Sequence, residues 1–395
     1  MKTDSFMDRF FTLLLFLIVV SCSSSSPNDS SGFDTVTDPS ELTNTEGLNL
    51  DDIVLPEGFK IDVFARVNNA RSLVLTPGGT LFISNRGGGK VYAIRDTDGD
   101  WKADEKYVIA SDLRSPNGIA FRDGSLYVAE ISKLWRFDNI EVNLDNPPEP
   151  VLIYDDYPKD GHHGWKYIAF GPDGKLYVPV GAPCNICESK NKMYASITRM
   201  NPDGSGREVY VHGVRNTVGF TWHPETGEMW FTDNGRDWLG NDEPPCELNR
   251  VEKAGQHFGY PYCHGGYLKD PEFGNKYPCS DFVKPAQNLG PHVAPLGVKF
   301  CTSESFPSVY THKIFIAEHG SWNRDSGVGH TGHKITMVTE QNGEGVAYED
   351  FATGFLNKET NTAWARPVDL IFAPDGSMLV SDDLAGTVFR ISYSK

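Results

Sequence analysis

The sequence contains few basic residues for its length. Its 395 residues include 36 Lys and Arg against 53 Asp and Glu, so the formal net charge is -17. Nucleic acids and anionic membrane surfaces repel a chain of this charge, and neither is expected as a partner. Because basic residues are scarce, a local group of arginines would indicate a site for an anionic ligand.

Long apolar runs are also scarce, and the one that stands out is Phe10–Val20. It is shorter than the ~20 residues that a membrane-spanning helix needs. It follows two basic residues and precedes Cys22, an arrangement that resembles a bacterial lipoprotein signal. We therefore expect residues 1–21 to be a signal peptide, Cys22 to carry lipid and residues 22–50 to be a Ser-rich flexible tether. The protein would then be lipid-anchored on the periplasmic or cell-surface side of a bacterial membrane. An ordinary signal peptide or a short membrane anchor is the alternative.

Cysteine is infrequent, with 7 residues in the chain. If Cys22 carries lipid, an even number remains, which favours disulfides in an oxidising compartment. Cys184 and Cys187 form a CxxC motif that is followed by Glu188 rather than His, so the motif is not a c-type haem site. A zinc site is the alternative, but the chain has no second CxxC to complete it, and a Cys184–Cys187 bridge is favoured.

One unit recurs six times along the chain: an apolar run, a tight turn and a second run that ends in polar residues. The turns recur about every 50 residues, and further short apolar runs follow each hairpin. This pattern predicts an all-β fold, a six-bladed β-propeller of four-stranded antiparallel blades, because a β-sandwich would not need six matching units. The last unit has only three runs, so the N-terminal strand at 59–65 is expected to complete it and close the ring. The propeller would span 51–395, with an insertion in the fourth blade at about 252–295.

The insertion carries two further cysteines, Cys263 and Cys279. It shows little regular pattern of its own, and a disulfide that closes a loop of this size contributes about 3 kcal/mol. We expect these two residues to form a second bridge. Cys246 and Cys301 are then left as a third candidate pair.

Polar side chains gather at one predicted rim of the propeller. In this fold the residues before the first strand and after the second strand of every blade surround the central funnel. The expected funnel residues include Arg71, Asn117, His162, His163, Arg215, Asn216, Trp322, Arg324 and Arg366. A cluster of arginines around an axial pocket predicts an anionic ligand that carries carboxylates or phosphates. The alternative is that these groups only pair with rim acids such as Glu130 and Asp383.

An acidic loop lies on the opposite rim, between the third and fourth strands of the first blade. Its sequence, RDTDGDWKADEK, spans 95–106. The residues with the spacing of a calcium-binding loop are Asp96, Asp98, Asp100 and Asp104. Trp101 stands where such loops usually have Gly. We predict a structural calcium ion here; a merely acidic turn is the alternative.

Several segments together resemble a known family. They are HHGWKYIAFGPDGKLYVPVGAPCNIC, HGVRNTVGF, TDNGRDWLGNDEPPCELNRV, AEHGSWNR and ARPVDLIFAPDG, within roughly residues 51–393. The chain resembles the glucose/sorbosone dehydrogenase family, most closely its sorbosone-dehydrogenase-like and pyranose-dehydrogenase members. Members of this family are six-bladed propellers that bind pyrroloquinoline quinone (PQQ) and calcium. The resemblance implies a quinoprotein that oxidises an aldose or related sugar at the anomeric carbon and passes the electrons to an external acceptor, a cytochrome or a quinone.

The resemblance also implies roles for individual residues. His163 would be the catalytic base. The residues that would grip PQQ are Arg215, Asn216, Arg366 and, where the glucose dehydrogenase branch has a lysine, Arg324. The main-chain carbonyls that would hold the cofactor's calcium belong to Gly235 and Arg236. The residues that would face the sugar are Asn117, His162 and Trp322.

The two adjacent histidines can be separated by geometry. Neighbouring side chains of an extended segment point in opposite directions, so only one of the pair is expected to face the quinone. The resemblance implies that this one is His163, because the family's catalytic histidine has the same spacing to the motif that begins at Gly171. With an ordinary pKa, this base would become protonated and activity would fall as the pH drops through about 6.5.

The chain departs from the family at two places that matter for function. His162 stands where the glucose-oxidising branch has an acid, so glucose is not the expected substrate by default. Cys246 stands where members often carry Asp near the metal loop. The alternatives are a non-catalytic carbohydrate- or protein-binding propeller and a calcium-dependent lactonase. A lactonase would need Glu, Asn and Asp around the axis, where this chain has Arg and His.

Overall fold

The described chain forms six four-stranded antiparallel sheets, one at each repeat. The computed structural model of the protein describes residues 38–394, so the predicted signal peptide and Cys22 lie outside the described residues. Within the described residues no helix has the length and apolar character needed to cross a membrane. The predicted all-β, six-bladed propeller of four-stranded antiparallel blades is confirmed.

The chain enters the propeller through β1 (Phe59–Arg66). Blade 1 contains β2 (Ala70–Leu75), β3 (Leu81–Asn85), β4 (Val91–Arg95) and β5 (Glu105–Ala110). Blade 2 contains β6 (Gly118–Arg122), β7 (Ser125–Ala129), β8 (Leu134–Phe137) and β9 (Val151–Tyr154). Blade 3 contains β10 (Ala169–Phe170), β11 (Leu176–Val180), β12 (Ser196–Met200) and β13 (Glu208–His212).

The second half of the ring carries two small additional hairpins. Blade 4 begins with β14 (Phe220–Trp222), β15 (Met229–Asp233) and β16 (Pro245–Val251), continues through the hairpin of β17 (Cys263–His264) and β18 (Leu268–Lys269), and ends with β19 (Gln287–Pro291). Blade 5 contains β20 (Pro295–Phe300), β21 (Ile314–Glu318), β22 (Lys334–Gln341) and β23 (Glu344–Ala352). After the hairpin of β24 (Leu356–Asn357) and β25 (Thr362–Ala363), blade 6 contains β26 (Pro367–Phe372), β27 (Met378–Asp382) and β28 (Thr387–Tyr393).

The ring closes between the two ends of the described chain. β1 pairs antiparallel with β28 and so supplies the fourth strand of blade 6, as predicted. Phe59 anchors this closure because its ring lies in an aromatic cluster. The centroid distances from Phe59 are 4.7 Å to Phe306, 5.1 Å to Phe351 and 5.0 Å to Tyr393.

Hydroxyl groups link neighbouring blades close to the axis. Each occupies the next-to-last position of a second strand and donates to a main-chain carbonyl at the start of the following blade. The three bonds run from Ser84 to Asn117, from Thr232 to Leu296 and from Ser381 to Arg71. These hydroxyls are fully buried and satisfied, so they fix where each blade's first strand begins.

The two ends of the propeller region differ in detail from the expected boundaries. Residues 38–50 were expected to belong to the flexible tether, but the helix Pro39–Leu42 packs its Leu42 into the core with 1% of the residue exposed. The insertion in blade 4 ends before β19, because Gln287–Pro291 forms the outer strand of that blade. The Gly and Pro in that strand hid it from pattern analysis. Four 3₁₀ turns complete the regular structure described: Leu50–Asp52, Ile140–Val142, Cys279–Asp281 and Ser308–Tyr310.

Two of the three candidate cysteine pairs form disulfides. Cys184 is bonded to Cys187, and Cys263 to Cys279, which confirms both local bridges. The third pair is wrong: Cys246 and Cys301 are free and buried. They lie in different hydrophobic clusters.

The contact network around Phe59 predicts a large effect on stability. Phe59→Ala should lower the free energy of unfolding by about 3 kcal/mol, because it removes an aromatic ring from a packed cluster at the ring closure. Lys60→Ala is the matched control, since Lys60 is the exposed neighbour on the same strand and should change stability by less than about 0.5 kcal/mol. Chemical denaturation measures both. Equal midpoints for the two variants would contradict this account of the closure.

Candidate functional site

A cavity of about 340 Å³ lies in the funnel at the axis. This volume is within the range of small-molecule sites, roughly 300–1,000 Å³. The basic side chains that line it are Arg71, Arg86, Arg215, Arg366, His163, His292, His319 and His333. Cavities of about 720 and 650 Å³ lie elsewhere, but neither gathers arginines, so the chemistry of the lining rather than size identifies the site.

Asp383, directly after β27, holds three of these side chains. Its carboxylate accepts hydrogen bonds from Arg71 at 3.0 Å, from Arg366 at 3.0 Å and from His319 at 3.0 Å. Burial alone would raise the pKa of Asp383, but His319, Arg71 and Arg366 together outweigh burial and hold it far below its usual range. One carboxylate therefore faces two guanidinium groups, with a third, on Arg86, close enough to feel its charge. The three guanidinium groups thus carry more positive charge than the carboxylate of Asp383 neutralises. Pairing with this rim acid alone does not explain why the arginines gather here.

Acidic side chains at the ends of second strands fix the chain where it enters three blades. Asp233 accepts the main-chain N–H groups of Arg215 and Asn216 at 2.8 and 2.6 Å. Asp382 accepts the main-chain N–H of Arg366, and Glu130 accepts the main-chain N–H of Arg114 in blade 2. Burial raises the pKa of Asp233 to about 6 and that of Asp382 to about 7. The rim acids thus act mainly as acceptors for the backbone that carries the arginines.

The Arg215 guanidinium is locked in one orientation. It donates from Nε to the carbonyl of Asn185 at 2.9 Å and from Nη2 to Oδ1 of the same residue at 2.8 Å. Nη2 also donates to Asp237 at 3.0 Å, and Nη1 donates to the carbonyl of Asn234 at 3.2 Å. A guanidinium has five N–H groups, so one remains for a ligand in the cavity that Arg215 lines.

His163 is held as a neutral base. Its Nδ1 lies 3.0 Å from the carbonyl oxygen of Ala182; a carbonyl only accepts, so Nδ1 carries the hydrogen and Nε2 is left with its lone pair. Burial, and then the charge of Arg215, lower the pKa of His163 to about 2. Gly181 permits this placement because a Cβ there would lie 2.5 Å from the Cβ of His163.

His162 lies beside this base but outside the cavity lining. The two rings are 4.0 Å apart between centroids, so the expectation that they point in opposite directions fails. The reason is that the pair lies in a turn, with His163 at φ 49°, rather than in an extended segment. Only His163 lines the cavity, and His162 is exposed at its edge.

The remaining predicted residues fall into two groups. Asn216, Gly235 and Trp322 line the cavity, whereas Asn117, Arg236 and Arg324 do not. The Arg236 side chain points away, 2.6 Å from Asp270, although the role expected of this residue involved only its carbonyl. Arg324 lies 3.6 Å from Asp242, and this placement does not support a cofactor contact.

Asn117, which was expected to face a sugar, makes its hydrogen bonds within the protein. It is 1% exposed. Its Oδ1 accepts from Nε of Arg71 at 2.7 Å, and its Nδ2 donates to the carbonyl of Lys166 at 2.9 Å. Asn117 therefore joins three blades beneath the cavity and orients Arg71.

Sequence reasoning overlooked Asn185 and Trp165, whereas Arg86 and Asp383 were expected at the funnel rim without a defined role. Asn185 and Asp383 hold the arginines, Arg86 and Trp165 line the cavity, and the Arg86 guanidinium lies 4.6 Å from the Trp165 ring centroid. A signal for Asp383 was present, because acids recur where second strands end. No comparable signal marks Asn185, whose partner lies in another blade.

The acidic loop on the opposite rim is partly organised as expected. Carboxylate oxygens of Asp96, Asp98 and Asp104 lie within 4.8 Å of one another. Asp100 is not part of this group and lies 3.5 Å from Lys102. Trp101 adopts φ 63°, the left-handed conformation that Gly usually supplies at this position.

Comparison with known proteins agrees with this fold and assigns the chain to a family. A family model described as TrAA12-like matches residues 53–394, and the chain belongs to this family. An uncharacterized protein of Borreliella burgdorferi is 34% identical over 373 residues, which cover 90% of this chain and 93% of that protein. The pyrroloquinoline quinone-dependent pyranose dehydrogenase of Coprinopsis cinerea is 31% identical over 411 residues, or 85% of this chain and 54% of that protein.

A solved structure shows the same fold. The holo form of the pyranose dehydrogenase PQQ domain from Coprinopsis cinerea has a TM-score of 0.72 and 20% identity, and the match covers 86% of this chain and 97% of that domain. The chain thus spans about half the length of the pyranose dehydrogenase but nearly all of its PQQ domain. The expected relationship to pyranose-dehydrogenase members is confirmed.

The acidic loop generates a prediction about thermal stability. Calcium at 100 times its dissociation constant should stabilise the protein by about 2.7 kcal/mol if the loop binds it. The double variant Asp96→Asn/Asp98→Asn should lose this calcium-dependent rise in melting temperature. Asp123→Asn, an exposed acid on the same rim that pairs only with Arg122, should keep it. Identical wild-type melting temperatures with calcium and with chelator would show that the loop is only an acidic turn.

Proposed function

We propose that the protein is a PQQ- and calcium-dependent dehydrogenase that oxidises an aldose or related sugar at the anomeric carbon. The observation that carries this proposal is the placement of several guanidinium groups and the neutral imidazole of His163, with its Nε2 unblocked, around a single cavity. Membership of a family whose relatives include a PQQ-dependent pyranose dehydrogenase supports it. A further part of the proposal is that the electrons pass to a separate acceptor, a cytochrome or a quinone.

The donor set of the funnel fits PQQ. This cofactor is a flat molecule with three carboxylates, and guanidinium groups bind carboxylates through paired, charge-assisted hydrogen bonds. Arg215, Arg366 and Arg86 line a cavity of about 340 Å³ and have no surplus of acids to neutralise them. Asn216 would add an amide to this set. When bound, PQQ supplies the quinone that accepts two electrons from the sugar.

The protein's own contribution to the reaction is proton transfer and charge stabilisation. His163 would accept the proton of the anomeric hydroxyl at Nε2, because Nδ1 is already bonded to Ala182. The resulting imidazolium would be short-lived, since burial disfavours its charge. Arg215, which keeps one free N–H, would stabilise the negative charge that develops on the cofactor's oxygen.

The calcium of the cofactor site would be held by the main-chain carbonyls of Gly235 and Arg236. Gly235 lines the cavity, so its backbone is accessible to an ion bound there. Asp233 and Glu247, which flank this loop in the sequence, are both buried. Burial, and then the charge of Asp233, raise the pKa of Glu247 to about 8. The Cys246 thiol is neutral, because burial raises its pKa to about 11, so this position supplies no charge to the ion.

The sugar would lie at the open side of the cavity. Trp322 is 67% exposed there, and its ring meets that of Trp238 edge-to-face at 5.5 Å. Two exposed indoles offer apolar faces for the C–H groups of a pyranose. His162, exposed beside His163, would contact the hydroxyl groups of the same sugar.

The cellular location is also a proposal. Two disulfides form in the protein, and bridges of this kind persist outside the reducing cytoplasm. Together with the lipoprotein-like signal that ends at Cys22, they support a lipid-anchored protein on the periplasmic or cell-surface side. The sugar and the electron acceptor would then both be met outside the cytoplasm.

Reconstitution tests the proposed activity. Purified protein free of cofactor should reduce a redox dye in the presence of PQQ, calcium and an aldose, and should be inactive without PQQ. A panel of aldopyranoses and their deoxy analogues would identify the substrate. Tight PQQ binding without dye reduction would indicate a binding protein, and hydrolysis of lactones with calcium alone would indicate a lactonase; both outcomes would refute the dehydrogenase.

The two adjacent histidines should behave differently on substitution. His163→Ala should still bind PQQ but lose about 10²–10⁴-fold in kcat, because a positioned general base is removed. His162→Ala is the matched control, and it should mainly raise KM and alter sugar preference. Steady-state kinetics at saturating PQQ and calcium distinguish them. Near wild-type kcat for His163→Ala would contradict the assignment of the base.

The pH dependence expected from the sequence needs correction. A base with the ordinary pKa of His would be lost as the pH falls through about 6.5. Because burial, and then Arg215, lower the pKa of His163 to about 2, the ring stays neutral throughout that range. The kcat should therefore be unchanged between pH 7 and pH 5, which lie about 0.5 unit above and about 1.5 units below the ordinary pKa of His. Loss of kcat with a midpoint near pH 6.5, in protein still folded by circular dichroism, would show that the base is solvated during turnover.

A further inference from the structure

The loop between β11 and β12 holds Arg215 from the side opposite the cavity. Asn185 makes most of the contacts. Its carbonyl and its Oδ1 accept hydrogen bonds from Arg215 at 2.9 and 2.8 Å. Its Oδ1 also accepts from the N–H of Asp237 at 2.8 Å, and its Nδ2 donates to the carbonyl of Asp237 at 3.0 Å. One side chain thus ties Arg215 to the loop that carries Gly235.

The shape of this loop depends on two constraints. The Cys184–Cys187 disulfide closes it around Asn185. The hydroxyl of Tyr260, from the blade 4 insertion, accepts the N–H of Cys187 at 3.1 Å. The loop contains no strand or helix, so the disulfide and the Tyr260 hydroxyl, which also lies 3.5 Å from the Asn185 carbonyl, are what shape its backbone around Asn185.

The outer side of the disulfide is accessible. A second cavity of about 650 Å³ lies there, lined by Cys187 together with Tyr260, His257, Lys190 and Lys192. Cys187 lines this outer cavity and Arg215 lines the funnel. A reductant that enters the outer cavity would therefore reach the Cys187 end of the bridge without passing through the funnel.

We propose that Asn185 is the positioning residue for the anion-binding Arg215, and that the Cys184–Cys187 disulfide makes the affinity for PQQ dependent on the redox state of the protein. The inference rests on the proposed function and adds a regulatory property to the same site. A dithiol reductant would break the sulfur–sulfur bond and leave two cysteine thiols, while the dithiol itself becomes a disulfide; two electrons and two protons pass to the protein.

The physical reason is preorganisation. A free arginine side chain samples many rotamers, and a ligand that binds it must restrict them. The hydrogen bonds from Arg215 to Asn185 restrict these rotamers before the ligand binds. Opening the loop would restore the rotamer freedom of Arg215. In metal sites, loss of such supporting contacts lowers affinity by roughly 10–100-fold, and we expect an effect of the same size here.

The experiment measures PQQ affinity rather than turnover. PQQ is titrated calorimetrically, with calcium present, into wild type, Asn185→Ala and Cys184→Ser/Cys187→Ser. The Cys263→Ser/Cys279→Ser variant is the matched control, because it removes the other disulfide. Wild type is also measured after reduction with dithiothreitol, which is removed anaerobically before PQQ is added, since thiols react with quinones.

Both Asn185→Ala and the Cys184→Ser/Cys187→Ser variant should bind PQQ roughly 10–100-fold more weakly than oxidised wild type. Reduced wild type should match the serine variant, and the control should keep its PQQ affinity while losing thermal stability. If the serine variant fails to fold, reduced wild type tests the disulfide and Asn185→Ala tests the positioning of Arg215. Unchanged affinity in Asn185→Ala or in reduced wild type, or an equal loss in the control, would overturn the inference only. Absence of PQQ binding by oxidised wild type would overturn the proposed function as well.

Discussion

Buried carboxylates at the ends of second strands are the constraint on which the funnel depends. Asp233 and Asp382 hold the backbone of Arg215 and Arg366, and Asp383 joins Arg366 to Arg71 across the closure of the ring. Removing such charges from water costs several kcal/mol each, and full hydrogen bonding offsets that cost. The arrangement fixes guanidinium groups at an axis where they would otherwise repel one another. Without these acids the arginines could not converge on one cavity.

The funnel contains two kinds of polar group. Asn117 and the interblade hydroxyls have all their partners within the protein, so they determine geometry. His163 and Arg215 each keep one hydrogen-bonding position that faces the cavity. This division explains how a site can be both densely bonded and chemically competent. His163 stays neutral because burial, and then the charge of Arg215, lower its pKa.

The blades could be predicted from the sequence because a hairpin is local: its turn residues and its alternating pattern lie within a few positions of each other. The site could be predicted only to the level of a rim. Asn117 lies 46 residues from its partner Arg71, and Asn185 lies 30 residues from Arg215. No local pattern states which way an amide in a loop will point. The predicted pairing of Cys246 with Cys301 was wrong for the same reason, because an even number of cysteines does not show which of them are close in the fold. The bridges at 184–187 and 263–279 could be predicted because each closes a short loop.

The central claim is that the arginine-lined funnel is a preformed site for a planar polycarboxylate next to a neutral base. A crystal structure of the protein with PQQ and calcium tests it most directly. The account predicts PQQ in the funnel, with its carboxylates within hydrogen-bonding distance of Arg215 and Arg366 and with Nε2 of His163 facing the quinone. PQQ bound elsewhere, or bound in the funnel with His163 turned away from it, would contradict the account.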